Sequence, residues 1–127
     1  MDSSLLFWVY LINAVILINH EIDSAYWQEW KLINPKDQSD AKGFLIVHFP
    51  MLFLILYGLV LVDRGLLAGM IISLLLAASG IFAFFFHFYH LRKGRQEFNN
   101  WVSKLILILT LPISIFQVVI TITSLSK

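Results

Sequence analysis

From Leu66 to Phe88 the chain runs without one Asp, Glu, Lys or Arg. A helix of that length rises about 1.5 Å per residue and covers the roughly 30 Å of a bilayer's hydrocarbon core. Three further stretches have the same character. Leu5 to about His20 is interrupted by Asn13, Gly43 to Val62 by His48, Tyr57 and Gly58, and Trp101 to about Ile122 carries the single charge of Lys104. Lipid offers no partner for backbone N–H and C=O groups, so an apolar chain crossing it must be helical. The expected fold is an all-α integral membrane protein, an antiparallel four-helix transmembrane bundle running up-down-up-down. The expected helices cover about 5–22, 43–62, 66–90 and 101–123, with an interfacial segment over about 23–42. The whole chain, 1–127, reads as one domain.

Composition narrows the chemistry. With 59% hydrophobic residues and a mean hydropathy of +0.81, the chain is too apolar for a soluble domain of this size. It has no cysteine, which excludes disulfides, thiolate metal sites and thiol nucleophiles. The few basic residues form no patch for nucleic acid. Leu5 to Ile18 has the length of a signal-peptide core, but Met1-Asp2-Ser3-Ser4 brings no basic residue. The small-residue site before Tyr26 would also put Asp23 where a small side chain belongs. The segment is expected to stay as the first helix.

Periodicity assigns the faces. Tyr10, Asn13, Leu17, His20 and Ser24 recur at three- and four-residue steps and share one side of the first helix, with Asp23 near it and Glu21 turned about 100° from His20. In the third helix Gly65, Gly69, Ser73 and Ala77 form a small-residue seam that Gly80, Phe84, His87 and Leu91 continue. Such faces suit close helix packing, including homo- or hetero-oligomers. Ser103, Thr110, Ser114, Gln117, Thr121 and Ser124 stripe the fourth helix and mark its packing face. Pro112 frees the carbonyl of Ile108, which a hydroxyl such as Thr110 is placed to satisfy. Tyr26, Trp27 and Trp30 are interfacial residues by type, and Asn34-Pro35-Lys36-Asp37 is a turn signal.

The up-down order brings four histidines to one end. His20 closes the first span, His48 opens the second, and His87 and His90 close the third. Lys31, Lys36, Lys42, Arg92, Lys93 and Arg95 share that side, against Arg64 and Lys127 on the other. Positive charge favours the cytoplasm, so the histidines are expected at the cytoplasmic face of a multi-pass protein, with both termini outside and a bacterial inner membrane as its location. His20, His48, His87 and His90 are the candidate metal ligands, with zinc the first choice and iron the next. Glu21 and Asp23 are the candidate catalytic carboxylates, either one a base beside a metal-bound water. Nothing beyond Phe84 to Phe86 marks a porphyrin slot, so haem is not expected.

His20-Glu21-Ile22-Asp23, the later Glu29-Trp30 and His48-Phe49-Pro50 together resemble a family of small bacterial membrane proteins of unknown function. That family carries an early His-Glu-(Leu/Ile)-Asp and a His-x-Pro opening its second helix. The resemblance implies a four-helix membrane fold and no established activity. Two readings stay open. One is a metal site at the membrane interface, extending to a metallohydrolase that acts on lipid-like substrates. The other is a non-enzymatic accessory or assembly protein whose polar residues serve helix packing.

Overall fold

The structure, a computed structural model, describes residues 3–36 and 41–126. Met1, Asp2, residues 37–40 with Asp37 of the expected turn, and Lys127 lie outside the described residues. Helix α1 covers Ser3–Tyr26, α2 Trp30–Ile33, α3 Lys42–Asp63, α4 Leu67–Arg92 and α5 Trp101–Leu125. No strand occurs among the described residues. The four long helices are each long and apolar enough to cross a membrane. They run slightly past the limits expected from hydropathy. Asn19 to Tyr26 contains no Gly or Pro, so nothing halts α1 where its apolar run stops.

Three helix ends are built alike. Leu66 N–H bonds Leu61 O and Gly65 N–H bonds Val62 O after α3. Arg95 N–H and Gly94 N–H repeat the pattern on His90 O and Leu91 O after α4. After α1, Glu29 N–H bonds Ser24 O at 3.0 Å and Gln28 N–H bonds Ala25 O at 3.3 Å. This is the Schellman motif, which needs one residue in the left-handed region. Gly65 and Gly94 supply it with φ of 66° and 83°. At the end of α1 the residue is Gln28, with φ of 54°, a conformation that costs a residue with a Cβ about 1–2 kcal/mol.

The long helices pack α3 against α4, α4 against α5, and α1 against α3 and α5. Gly69 sits on the backbone of Leu61 and Val62, and Gly80 on Ser114 and Thr110. Leu6, Val9, Tyr10, Ile55, Val62 and Ile120 belong to the main apolar core. A polar network runs through its centre. Asn13 Nδ2 donates to Gln117 Oε1 at 2.7 Å, and Gln117 Nε2 donates to Ser73 Oγ at 2.9 Å. Ser73 Oγ meets Thr121 Oγ1 at 2.8 Å, and Thr121 returns a bond to Gln117 O at 2.7 Å. Interhelical bonds of this kind contribute about 0.6–2 kcal/mol each in apolar surroundings. They hold α1, α4 and α5 through the small-residue seam and the hydroxyl stripe. Thr110 departs from expectation, because its hydroxyl bonds Ile106 O at 2.8 Å rather than the Ile108 carbonyl that Pro112 frees.

A methyl group on Gly69 would lie 2.5 Å from backbone atoms of Leu61 and Val62, which have little freedom to yield. Gly69→Ala should therefore lower stability by about 1–3 kcal/mol. At Gly43 a Cβ meets nothing within 4 Å, and Gly43→Ala should gain about 0.5–1 kcal/mol from helix propensity. Thermal unfolding of the two variants in detergent checks this, and equal effects would remove the close approach as the cause.

Candidate metal centre

His20 lies on the buried face of α1, nearly two turns before that helix ends, and His87 on the buried face of α4. They are 2% and 1% exposed. Their rings meet edge to face with centroids 4.7 Å apart. The Schellman turn at Gln28 reverses the chain and brings Glu29 back over Ser24, so its carboxylate reaches the two imidazoles. Glu29 Oε1 stands 3.6 Å from His87 Nε2. His20, Glu29 and His87 each offer a ligand atom within 4.8 Å of the others.

Ser24 borders the group. Its Oγ lies 3.5 Å from His20 Nε2. His20 Nδ1 is buried without a hydrogen-bond partner, as are both ring nitrogens of His87. Asp23 Oδ2 and the indole nitrogens of Trp27 and Trp30 are buried and unpaired as well. The contrast with the satisfied network at the centre of the bundle is sharp, since each unmade bond of this kind costs about 1–3 kcal/mol.

Phe98 closes the cluster from the α4–α5 connection. Its ring lies 4.1 Å from His87 and 6.1 Å from His20. It is fully buried, and its φ is 65°, a strained position for a bulky residue. Strained residues gather where the surroundings over-determine them, often at functional sites. The two non-glycine positive-φ residues among those described, Gln28 and Phe98, both border this cluster. Arg95 braces the connection by donating to Glu97 Oε1 at 2.7 Å and to Lys31 O at 3.4 Å. The hydrogen bond from Arg95 holds the Glu97 carboxyl below its usual range.

His48 and Glu21 form a second pair. His48 Nδ1 lies 2.7 Å from Phe44 O and its Nε2 2.7 Å from Glu21 Oε2, while its ring stacks on Phe44. A carbonyl only accepts, so Nδ1 carries a proton and one further proton is shared between Nε2 and the carboxylate. Both residues line a cavity of about 590 Å³ together with His20, Glu29 and Trp30. His90 does not reach it. Its ring packs on Phe86 and Tyr89. Asp23 stands beside the cluster without joining the trio. The sequence singled out His20, His48, His87, His90, Glu21 and Asp23, and left Glu29 and Phe98 out of the candidate set. Two signals pointed to Glu29, its place on the histidine side of the first connection and the Glu29-Trp30 pair, but neither set it apart from the other carboxylates there.

The chain belongs to a family described as one of unknown function (DUF6713), matched over residues 6–124. No curated protein and no solved structure matches it. Membership agrees with the uncharacterised character of the resemblance and assigns no activity.

Burial lifts the Glu29 carboxyl above its usual range, partly offset by the Ser24 hydrogen bond and by His48. A carboxyl with a raised folded-state pKa adds stability below its unfolded pKa of about 4.3 and loses it as pH rises through the folded value. Measured against wild type, metal-free Glu29→Gln should therefore become progressively more stable as pH climbs from about 4.3 through that range, because it lacks the carboxylate whose ionisation burial opposes. Melting curves in detergent with a chelator present check it. An unchanged pH profile in Glu29→Gln would mean that the carboxylate is not strained by its burial.

Proposed function

We propose that this family member is a membrane metalloprotein that holds a divalent transition ion, zinc first and iron next, between His20, His87 and Glu29. The observation that carries the reading is the set of three unbonded imidazole nitrogens beside a half-buried carboxylate. Ligands at about 2.0–2.1 Å in a tetrahedron stand about 3.3–3.4 Å from one another. The 3.6 Å between His87 Nε2 and Glu29 Oε1 is close to that spacing. Two imidazoles and a carboxylate form a ligand set used for catalytic zinc and for non-haem iron, both of which keep a position open for water or substrate.

The chemistry favoured by this set is hydrolysis. A water on such an ion ionises near neutral pH. The open position would face the cavity, where Glu21 and His48 share a proton on the opposite wall. These two residues are the acid–base partners in this reading. His48 thereby serves the reaction rather than the ion, and neither His90 nor Asp23 is a ligand. The excess of Lys and Arg in the first and third connections supports a cytoplasmic position for this end of the bundle. The network of Asn13, Ser73, Gln117 and Thr121 is packing, with its bonds made.

Elemental analysis of detergent-purified protein tests the proposal. Wild type should carry near-stoichiometric zinc or iron. His20→Ala, His87→Ala and Glu29→Gln should lose it, while His90→Ala and His48→Gln keep it. Loss in His90→Ala with retention in Glu29→Gln would move the ion elsewhere. No metal in any folded sample would leave the accessory-protein reading standing.

A further inference from the structure

The metal centre sits at one end of a longer groove. A second cavity of about 150 Å³ lies beside the first and shares Glu21, Met51 and Ser79 with it. Together they form a furrow between α3 and α4, floored by α1. On α3 the walls run from Gly43 to Ile55, and on α4 from Ala83 back to Ile72. At about 1.5 Å per residue that is on the order of 16–18 Å. One leaflet's share of the hydrocarbon core is about 15 Å, half of roughly 30 Å.

Polarity is concentrated at one end, with Glu21 and Ser79 at the junction of the two cavities. His20, Glu29 and the His48–Glu21 pair gather at the wide cavity, and Leu54, Ile72 and Leu75 line the narrow one. The furrow also opens sideways. Val47 and Phe82 at the wide part are 63% and 66% exposed, and Leu54 and Leu75 below them are exposed as well. All four lie on the outer surface of helices apolar enough to cross a membrane. In a bilayer, a mouth on that apolar surface is open to the acyl layer.

We infer that the furrow takes a long-chain fatty acid from the membrane, its chain lying along α3 and α4 and its carboxylate at the His20–Glu29–His87 end. The carboxylate's place rests on the metal reading, because the side chains at that end bring carboxylates of their own and need the ion's charge to attract another. The place of the chain rests on the furrow alone. Its length is matched to one leaflet, and beyond Glu21 and Ser79, which the narrow cavity shares with the wide one, its lining is wholly apolar.

Native mass spectrometry of detergent-released protein tests this, since it resolves ion and fatty acid as separate mass increments. With zinc and palmitate, wild type should carry one of each per chain. Ser79 is exposed and its hydroxyl bonds only Leu76 O, so Ser79→Phe should fill the furrow without disturbing the core. That variant should keep zinc and bind palmitate at least about tenfold more weakly. Octanoate should bind wild type at least about tenfold more weakly than palmitate, a comparison that needs no variant. His87→Ala should lose zinc and weaken palmitate without abolishing it. Zinc bound with no palmitate would overturn the inference and leave the metal reading intact. Palmitate bound once, blocked by Ser79→Phe and indifferent to zinc, would support the furrow and overturn the placement of the carboxylate. Multiple palmitates unaffected by Ser79→Phe or by chain length would overturn the inference outright.

Discussion

A buried imidazole nitrogen with nothing to bond costs about 1–3 kcal/mol, and this bundle leaves three of them in one place. A chain this apolar has few polar groups to bury, and it satisfies those in its centre. Asn13, Ser73, Gln117 and Thr121 close on one another and on backbone carbonyls across three helices. Tyr10 donates to Ile55 O at 2.7 Å across a fourth. The same packing that makes these bonds turns His20 and His87 inward at the end of the bundle, where only His20 Nε2 meets a hydrogen-bond partner, Ser24. Imidazoles used only for packing would be expected to bond a carbonyl, as His48 does with Phe44 O.

Several costly features converge on that end. Gln28 holds a left-handed conformation where the other two helices ending in this way use glycine. The reversal it permits is what brings Glu29 to the histidines. Phe98 takes a second left-handed conformation and fills the space against both rings. Arg95 ties the α4–α5 connection to the backbone of α2. Each device is local, and each serves to seat a carboxylate or an aromatic ring around two unbonded imidazoles. A metal ion would engage one unbonded nitrogen on each ring and turn that part of the cost into a stabilising term, because deprotonated nitrogen and carboxylate oxygen are what such an ion binds.

The helices were legible because hydrophobicity over some twenty residues has one structural solution in lipid. The packing faces were legible because polar and small residues in an apolar helix recur with its period, and Asn13, Ser73, Ser114 and Gln117 are all buried. The 100° between His20 and Glu21 was legible too, and it separates the two toward α4 and α3. What lay outside the pattern is the region after α1. No sequence rule announces a left-handed glutamine, so the return of Glu29 could not be read from periodicity. His87 and His90 stand three apart, close enough in angle to share a face on an ideal helix. In the bundle one ring lies under Phe98 and the other beside Phe86 at the edge. Which side of a boundary a residue falls on depends on the neighbouring helix, which period alone does not supply.

His20 and His87, and not the other two histidines, are the proposed metal ligands. The most direct measurement is a zinc titration of protein labelled with nitrogen-15 at its histidines, followed through the ring nitrogen resonances in detergent, with each assigned by single His→Gln substitution. The account predicts that His20 and His87 shift together and saturate at one zinc per chain, with His90 unmoved. Shifts at His48 and His90 with His20 and His87 silent, or no saturable shift at any ring, would contradict it.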